Sequence, residues 1–466
     1  MKNLLGRLDL SYIYAFLSEA TLGLTFIFYM VLARVFGPEQ YGIFASAGAL
    51  AIILAFFIQF GLPFLLGREV AANPKEGSKS TIEFLVLQGF NSLLVLIILF
   101  PVARALGFQG TGITICYLLV LAEVCRSAKQ TIRSVFRGWG EFRTETVSVA
   151  IERFLVVLLS GVVLFLSKDL VWVVATLVLV RTVDILGLLY YLSKKTQIWS
   201  PISFESLWQT LKMAYPFAIS AVLWILYYQI DLLMLKGLAP TEEAGFYSAA
   251  YRITEIFSSL PRVIFSVTFT RFALCQSTEP EKLPKEIHKS AYLLLAGVLP
   301  VLVAGGLLQT FIVETIYGKA FSPAINSLAF LLPSLGIKMF GTLVEYFFQA
   351  TRREKFLPPL LLTTVIVNII SNALLIPQMG AMGAAIATLL SEIVLAIAGL
   401  ILMTRIGYKR VARRLILISL ISLLVAAIPS LMLNGLNSAM AIGLIIPSLL
   451  AIFFLMRPNY FLKQID

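Results

Sequence analysis

Apolar stretches of about 20 residues recur along the whole chain, and this repetition restricts the possible folds more than any other feature. A helix of that length crosses the hydrocarbon core of a bilayer and satisfies its own backbone hydrogen bonds there. Hydrophobic residues make up 59% of the 466 residues and charged residues only 13%, against roughly a quarter charged in soluble proteins. We therefore expect an all-α polytopic membrane protein.

The apolar pattern predicts about 14 transmembrane helices, and the basic residues predict their orientation. With both termini cytoplasmic, 27 of the 37 Lys and Arg residues lie in cytoplasmic segments, and only Arg104, Lys168, Lys236 and Lys319 lie in outer loops. Basic cytoplasmic loops face anionic lipid head groups, which explains the net charge of +12 without a nucleic-acid partner. The predicted spans are 11–36, 41–66, 81–102, 111–129, 144–166, 170–193, 214–235, 244–270, 290–316, 323–350, 359–376, 380–403, 414–432 and 437–456.

One phrase of the sequence occurs twice, about 200 residues apart. VLARVFGPEQYGIFASA (31–47) has Arg34 four residues before a proline, and LMLKGLAPTEEAGFYSAA (233–250) repeats the spacing with Lys236. The offset corresponds to six spans, so both copies have the same orientation, as in transporters built from parallel repeats. The alternative is that similar turn chemistry arose twice by chance. We expect two six-helix lobes related by a parallel pseudo-two-fold axis, with an outer turn at Gly37-Pro38 and at its counterpart.

The repeat implies a division of the chain into four segments. SFESLWQTLK (203–212) has apolar residues at helical spacing, which predicts a short amphipathic helix at the membrane surface between the lobes. The last two spans lie outside both lobes and carry no charge from Leu415 to Met456, as expected of lipid-facing helices. The predicted segments are an N-lobe (1–200), an interfacial linker (201–213), a C-lobe (214–404) and two extra C-terminal spans (405–466).

Ionisable residues within the predicted spans are the main functional signal. Exposing all of them to lipid would cost about 40 kcal/mol, at roughly 3 kcal/mol each. They are therefore expected to face the protein interior or a water-filled cavity. These residues are Glu19, Glu123, Glu152, Arg153, Arg181, Asp184, Asp231, Arg252, Glu255, Arg262, Lys338, Glu345 and Glu392.

Some of these charges share a helix face with other polar residues. Span 8 has a polar stripe at spacings of three and four, which predicts an aqueous path along one face: Gly245, Ser248, Arg252, Glu255, Ser259, Arg262 and Ser266. Span 7 places Trp224, Tyr228 and Asp231 on one face, and span 10 does the same for Lys338 and Glu345.

A structural role is the alternative, because opposite charges three residues apart can neutralise each other and hold helices together. The three such pairs are Glu123–Arg126, Arg181–Asp184 and Arg252–Glu255. Four charges have no counter-charge at helical spacing within the membrane and are the stronger functional candidates: Arg153, Arg262, Lys338 and Asp231.

Enzymatic chemistry has little basis in the sequence. The only histidine, His288, lies in a predicted cytoplasmic segment, so neither a histidine-based triad nor a His/Cys metal site is expected. The P-loop pattern GxxxxGK[ST] is absent from the sequence, which argues against ATP hydrolysis by this chain. A membrane glycan polymerase or ligase usually has sizeable outer loops, and these are not predicted here. We expect a protein that is not an enzyme and has no cofactor.

Several phrases resemble one transporter family. VLARVFGPEQYGIFASAGAL, YYQIDLLMLKGLAPTEEAGFYSAAYRI, RGWGEF and NALLIPQMGAMGAAIATLLSE are similar to the O-antigen type oligosaccharide flippases of the polysaccharide-transporter family. Their superfamily also contains the MATE drug exporters and the lipid II flippase. The resemblance implies two lobes around a central charged cavity and alternating access. The cargo implied is a polyprenyl-diphosphate-linked oligosaccharide, moved from the cytoplasmic to the outer leaflet.

The resemblance also gives the candidate residues roles. A diphosphate needs cations within the membrane, and sugars need hydroxyl and aromatic partners. Substrate binding is therefore assigned to Arg153, Arg181, Arg252, Arg262, Lys338, Ser248, Ser259, Trp224, Tyr228 and Arg34. Coupling to protons or sodium is assigned to Asp231, Glu123, Glu255 and Glu345.

The expected setting is the prokaryotic cell (inner) membrane, with a monomer among membrane lipids and a glycan polymerase as a possible partner. The main alternative function is a MATE-like, cation-coupled antiporter of organic cations, in which the acids rather than the arginines bind the substrate. A purely structural membrane scaffold is disfavoured by the polar stripe of span 8.

Overall fold

The computed structural model describes residues 22–199, 201–258 and 260–429, and nearly all of these residues are helical. Three short 3₁₀ turns, at Pro280–Lys282, Lys319–Phe321 and Glu354–Phe356, join some of the helices. The helices are α1 (Leu22–Gln59), α2 (Leu62–Ala72), α3 (Pro74–Lys79), α4 (Thr81–Ala105), α5 (Thr111–Gly138), α6 (Phe142–Ser167), α7 (Leu170–Lys195), α8 (Phe204–Leu238), α9 (Thr241–Phe257), α10 (Leu260–Thr278), α11 (Leu283–Leu307), α12 (Gln309–Tyr317), α13 (Ala324–Ala350), α14 (Leu357–Arg405) and α15 (Lys409–Ala427).

Eight helical segments within the described ranges are long and apolar enough to cross a membrane. Two of them, at 23–59 and 354–405, each correspond to two predicted spans. The all-α, polytopic class is therefore confirmed, while the number 14 stays a prediction. Glu19 and predicted span 437–456 lie outside the described residues.

Glycines divide the two longest helical segments. In α1 the break is at Gly37, with φ 75° and ψ 176°, and Pro38 follows it. In α14 it is at Gly380, with φ 53° and ψ −129°. Glycine adopts positive φ readily because it has no Cβ. The predicted turn at Gly37-Pro38 is confirmed, and Arg34 is exposed on the turn of helix that precedes it.

Four predicted spans end differently in the structure. Span 290–316 is divided at Leu308 into α11 and α12. Span 41–66 stops at Gln59, because Phe60 and Gly61 have positive φ and Pro63 starts the next helix. Span 244–270 is divided into α9 and α10, and Pro261 lies at the start of α10. The polar stripe of span 8 therefore does not follow one continuous helix. Span 111–129 is too short, since α5 continues to Gly138.

The chain divides into two compact units, Met1–Gly237 (unit 1) and Leu238–Asp466 (unit 2). In unit 1, α5 is central and packs against α1, α2, α4 and α7. In unit 2, α13 is central and packs against α9, α11, α14 and α15. The most apolar stretch of α13 is 83% buried, whereas that of α6 is only 17% buried. α6 therefore presents most of its surface to the surroundings of unit 1.

Residues 204–213 are helical, as predicted, but they continue without a break into the predicted span 214–235 as the 35-residue helix α8. Leu207 and Leu211 pack against a core cluster that includes Leu62, Leu66 and Phe136. Phe204 and Trp208 are exposed. The interfacial position of this segment and the division into lobes stay predictions.

Candidate functional site

A network of buried charges joins three adjacent helices of unit 1, and we call it the N-unit charge network. Helices α5, α6 and α7 pack against one another, and each contributes polar side chains to their shared interface. The members are Glu123, Arg126, Lys129 and Arg133 on α5, Ser148 and Glu152 on α6, and Arg181 and Asp184 on α7.

Glu152 is the acid at the centre of this network. Its carboxylate forms ion pairs with Lys129, with Arg133 Nη2 at 3.1 Å and with Arg181 Nε at 3.4 Å. The Lys129 side chain is fully buried, and that of Glu152 is 12% exposed. Because three cations surround one carboxylate away from solvent, the Glu152 charge is well compensated.

Asp184 is the second acid that bridges helices. Its Oδ2 lies 3.0 Å from Arg133 Nη2 and 3.4 Å from Lys129 Nζ. Ser148 Oγ donates to Asp184 Oδ1 at 3.2 Å and accepts a hydrogen bond from Arg133 Nη2 at 2.9 Å. The serine hydroxyl therefore connects the guanidinium with the carboxylate and fixes the geometry of both.

Glu123 forms the third centre. Its Oε2 pairs with Arg126 at 2.5 Å, one helical turn away, and its Oε1 accepts from Arg181 Nη1 at 3.1 Å. Arg181 Nη1 also donates to the backbone carbonyl of Ala122 at 2.8 Å. Arg181 thus connects the Glu123 and Glu152 centres across α5, α6 and α7.

The network contains four cations and three carboxylates, so it carries one net positive charge. Arg126 is its most accessible member, with 32% of its side chain exposed. A buried, net positive cluster with guanidinium groups suits a multivalent oxyanion, which accepts paired hydrogen bonds from guanidinium.

The sequence identified part of this network. Of its candidates, Arg181 and Glu123 are in it, and the i,i+3 pair Glu123–Arg126 is present. The predicted pair Arg181–Asp184 is replaced by contacts between helices. Arg181 binds Glu123 and Glu152, while Asp184 binds Lys129 and Arg133. Arg153, beside Glu152 on α6, is half-buried.

Lys129 and Arg133 were missed, because the predicted span ended at residue 129 and assigned both to the basic cytoplasmic side. The signal was present: Arg126, Lys129 and Arg133 are spaced three and four apart and lie on one helix face. These three cations pair with acids of the network, so they do not form an unpaired basic surface of a cytoplasmic loop.

In unit 2, charges meet between α13 and α14. Lys338 Nζ lies 3.9 Å from Glu392 Oε1, and the Glu392 side chain is only 1% exposed. Glu345, two turns along α13 from Lys338, is also buried. Asn372 donates to Asn368 at 3.0 Å within α14. Of the two predicted site residues, Glu345 therefore lies in the buried interior of this unit, and Lys338 is partly exposed at 17% of its side chain.

The residues of predicted span 8 have mixed environments. Ser248 is buried on α9. Arg252 pairs with Glu255 at 2.5 Å, and their side chains are 25% and 49% exposed, so this pair is partly accessible. Ser259 and the side chain of Arg262 lie outside what the structure describes.

The aromatic residues of span 7 are placed as their spacing predicts. On α8 the rings of Trp224 and Tyr228 stack with centroids 6.0 Å apart. Asp231, further along the same helix, is 4% exposed. Among the described residues, no group of three or more His, Cys, Asp or Glu side chains is placed to hold a metal ion.

Solved structures with the same fold are transporters. A lipid II flippase MurJ structure in an inward closed conformation superposes with a TM-score of 0.70 and 16% identity, over 98% of this chain and 100% of that chain. An inward-facing MATE multidrug resistance transporter of the MOP superfamily gives a TM-score of 0.63 and 16% identity, over 88% and 98%. The chain therefore has the fold of these transporters.

Sequence comparison defines the family more narrowly. The probable low-salt glycan biosynthesis flippase Agl15 of Haloferax volcanii is 24% identical over 372 residues, which cover 79% of this chain and 77% of that protein. The pattern of the polysaccharide biosynthesis protein family matches residues 11–276, more than half of the chain. The chain belongs to the polysaccharide biosynthesis protein family.

Proposed function

We propose that the protein is a flippase that moves a polyprenyl-diphosphate-linked oligosaccharide from the cytoplasmic to the outer leaflet by alternating access. The N-unit charge network carries this proposal, because four cations on α5 and α7 meet acids from three adjacent helices of a membrane protein. Charges within membrane helices are costly and usually mark a substrate or ion pathway. Membership of the family and the similarity to Agl15 support a glycan precursor as the cargo.

The chemistry of a diphosphate matches the network in charge and in geometry. Arg126 and Arg181 each direct guanidinium nitrogens at Glu123, so both are already aligned to donate to an oxyanion. An arriving diphosphate competes with this carboxylate for the same donors. The two guanidinium groups exchange Glu123 for the diphosphate when cargo binds. They pair with Glu123 again when cargo is released.

Unit 2 supplies a second set of groups. Arg252 and Lys338 are cations with 25% and 17% of their side chains exposed, and both suit the phosphate end of the cargo. Ser248 of unit 2 and the stacked pair Trp224–Tyr228 of unit 1 suit sugar hydroxyls and sugar rings. Arg34, Arg153, Ser259 and Arg262 remain proposed contacts on the basis of the sequence.

Ion coupling fits two of the four predicted acids better than the others. Glu123 and Glu255 are held by arginines, which keeps their charge fixed. Asp231 and Glu345 are buried within helices of units 1 and 2, where solvent screens a change of one unit of charge least. We therefore assign proton or sodium coupling to Asp231 and Glu345.

The proposal places the chain, as a monomer and not as an enzyme, in the prokaryotic cell membrane with both termini in the cytoplasm. A glycan polymerase in the same membrane is the proposed partner that would consume the translocated glycan. Membrane lipids surround the apolar helices.

The Arg252–Glu255 pair offers a matched test. Proteoliposomes containing a short undecaprenyl-diphosphate oligosaccharide report translocation through the accessibility of the glycan to an added glycosidase. Arg252→Ala is expected to lower translocation ~10- to 100-fold, the usual effect of losing a hydrogen bond to a charged group. Glu255→Ala removes the competing acid and is expected to leave translocation at or above the wild-type rate. Equal losses in both variants would show that the pair only supports the structure.

A cation-coupled antiporter of organic cations is the second candidate. Two buried carboxylates of unit 2, Glu345 and Glu392, favour it, because acids rather than arginines bind organic cations. In that case a fluorescent organic cation would be exported from the same proteoliposomes and Arg252→Ala would have no effect. Export of the cation without movement of the glycolipid would replace the flippase assignment.

A further inference from the structure

A groove with a volume of about 750 Å³ lies between α6 and α7 and borders the N-unit charge network at Ser148, Glu152 and Asp184. On α6 it extends from Arg143 to Leu159, about 24 Å of helix at 1.5 Å per residue. One leaflet of hydrocarbon is about 15 Å thick, with the head-group region beyond it. The groove therefore has the length of one lipid molecule in a single leaflet.

The lining of the groove changes from polar to apolar along its length. The end predicted to be cytoplasmic has Arg143, Thr144 and Tyr191. The deeper end is lined on both helices by aliphatic side chains, including Leu159 and Leu179. An amphiphile bound here would have its head group towards the cytoplasm and its chain towards the membrane centre.

The position of α6 leaves the groove accessible from the membrane. Ile151 and Leu159 on α6, and Leu179 and Val183 on α7, are all exposed side chains. In a bilayer such side chains contact lipid rather than water. A lipid can therefore enter the groove sideways, without passing through the interior of the protein.

The charge of the groove lining favours a lipid whose head group carries one phosphodiester. Arg143 is exposed and forms no ion pair with any residue that the structure describes. The two acids that line the groove, Glu152 and Asp184, are already paired with Lys129 and Arg133. Arg143 is thus the one cation of the lining, and it matches the one negative charge of a phosphatidylglycerol head group.

We propose that this groove binds an anionic phospholipid of the cytoplasmic leaflet, with its phosphate at Arg143 and one acyl chain along Leu155 and Leu159. The bound lipid is a site of its own and differs from the cargo proposed above. It covers the side of the groove that is lined by the network members Ser148, Glu152 and Asp184, and so separates the network from the bulk membrane.

The test uses proteoliposomes of phosphatidylcholine that contain a small fraction of phosphatidylglycerol with a diazirine on its acyl chain. After illumination, mass spectrometry of peptides is expected to locate the label on α6 and α7 between residues 147 and 188. Gly187 lines the groove, and a Cβ there would have no neighbour within 4 Å, so Gly187→Phe fills the groove without a backbone clash. It is expected to reduce labelling at least about fivefold.

Gly161→Phe is the matched control, because Gly161 lies on α6, the other helix of the groove, is equally free of neighbours and does not line the groove. It is expected to leave labelling unchanged. Equal labelling in both variants and wild type would overturn the proposal, provided that all three proteins elute as folded monomers.

Arg143→Ala tests the head-group contact. In this variant, about fivefold more unlabelled phosphatidylglycerol is expected to be needed to displace the diazirine lipid. This is the usual effect of one cation near an anionic lipid surface. Arg413→Ala, which removes an exposed arginine from the predicted cytoplasmic start of α15, is expected to have no effect. If undecaprenyl phosphate displaces the label and phosphatidylglycerol does not, the groove belongs to the cargo lipid and the proposal is wrong.

Discussion

Replacing Lys129 with methionine should strongly destabilise unit 1. Methionine keeps the length of the side chain but removes a charge that is fully buried and contacts both Glu152 and Asp184. The two carboxylates then share fewer cations away from water. Breaking a buried ion pair by removing one partner costs about 3–5 kcal/mol, and we expect Lys129→Met to lower the free energy of unfolding by that amount.

The double variant Lys129→Met/Glu152→Leu separates the loss of a cation beside Glu152 from lost packing. Removing one acid together with one cation leaves three cations and two carboxylates among the network members, so the net charge is again that of the wild type. The double variant should therefore be more stable than Lys129→Met alone, with a coupling energy of about 0.5–3 kcal/mol. The assay is reversible unfolding in detergent, followed by the fluorescence of the native tryptophans.

The reasoning would be refuted by a Lys129→Met variant that loses less than about 1 kcal/mol, the value typical of exposed ion pairs. Such a result would mean that water reaches the network. It would also be refuted if the single and double variants lost the same stability.

Two backbone features give further predictions. The Glu243 carboxylate accepts a hydrogen bond from Ala381 N at 2.7 Å and caps the helix after the break in α14, so Glu243→Ala should lower stability by about 0.5–2 kcal/mol in thermal unfolding. Gly61 has φ 75°, and a Cβ there would lie 2.7 Å from Phe217 Cβ. Gly61→Ala should therefore lower the melting temperature clearly more than Gly107→Ala, where φ is 79° but no atom lies within 4 Å; equal shifts would mean that backbone strain alone matters.

Features that depend on local chemistry could be predicted from the sequence. The apolar stretches predict membrane helices because their length matches the bilayer. The Gly37-Pro38 turn is predictable because proline starts helices and glycine accepts positive φ. The Glu123–Arg126 and Arg252–Glu255 pairs follow from helical spacing alone, and both are present.

Features that depend on packing between helices could not be read from spacing. Arg181 and Asp184 are one turn apart, yet each binds charges on other helices, and their partners are known only once α5, α6 and α7 are packed. Lys129 was hidden for a different reason, because a basic residue at the end of a span is indistinguishable from one in a cytoplasmic loop. The contacts of Lys129 with Glu152 on α6 and Asp184 on α7 show that it lies inside unit 1 and not in a loop.

The most direct test of the flippase proposal is a comparison of two cargoes in proteoliposomes of the wild-type chain. One set contains a short undecaprenyl-diphosphate oligosaccharide, and the other a fluorescent organic cation, with and without a proton or sodium gradient. We expect the glycan to become accessible to external glycosidase faster than in protein-free vesicles, while the cation stays enclosed. Export of the cation with no movement of the glycolipid would contradict the proposal.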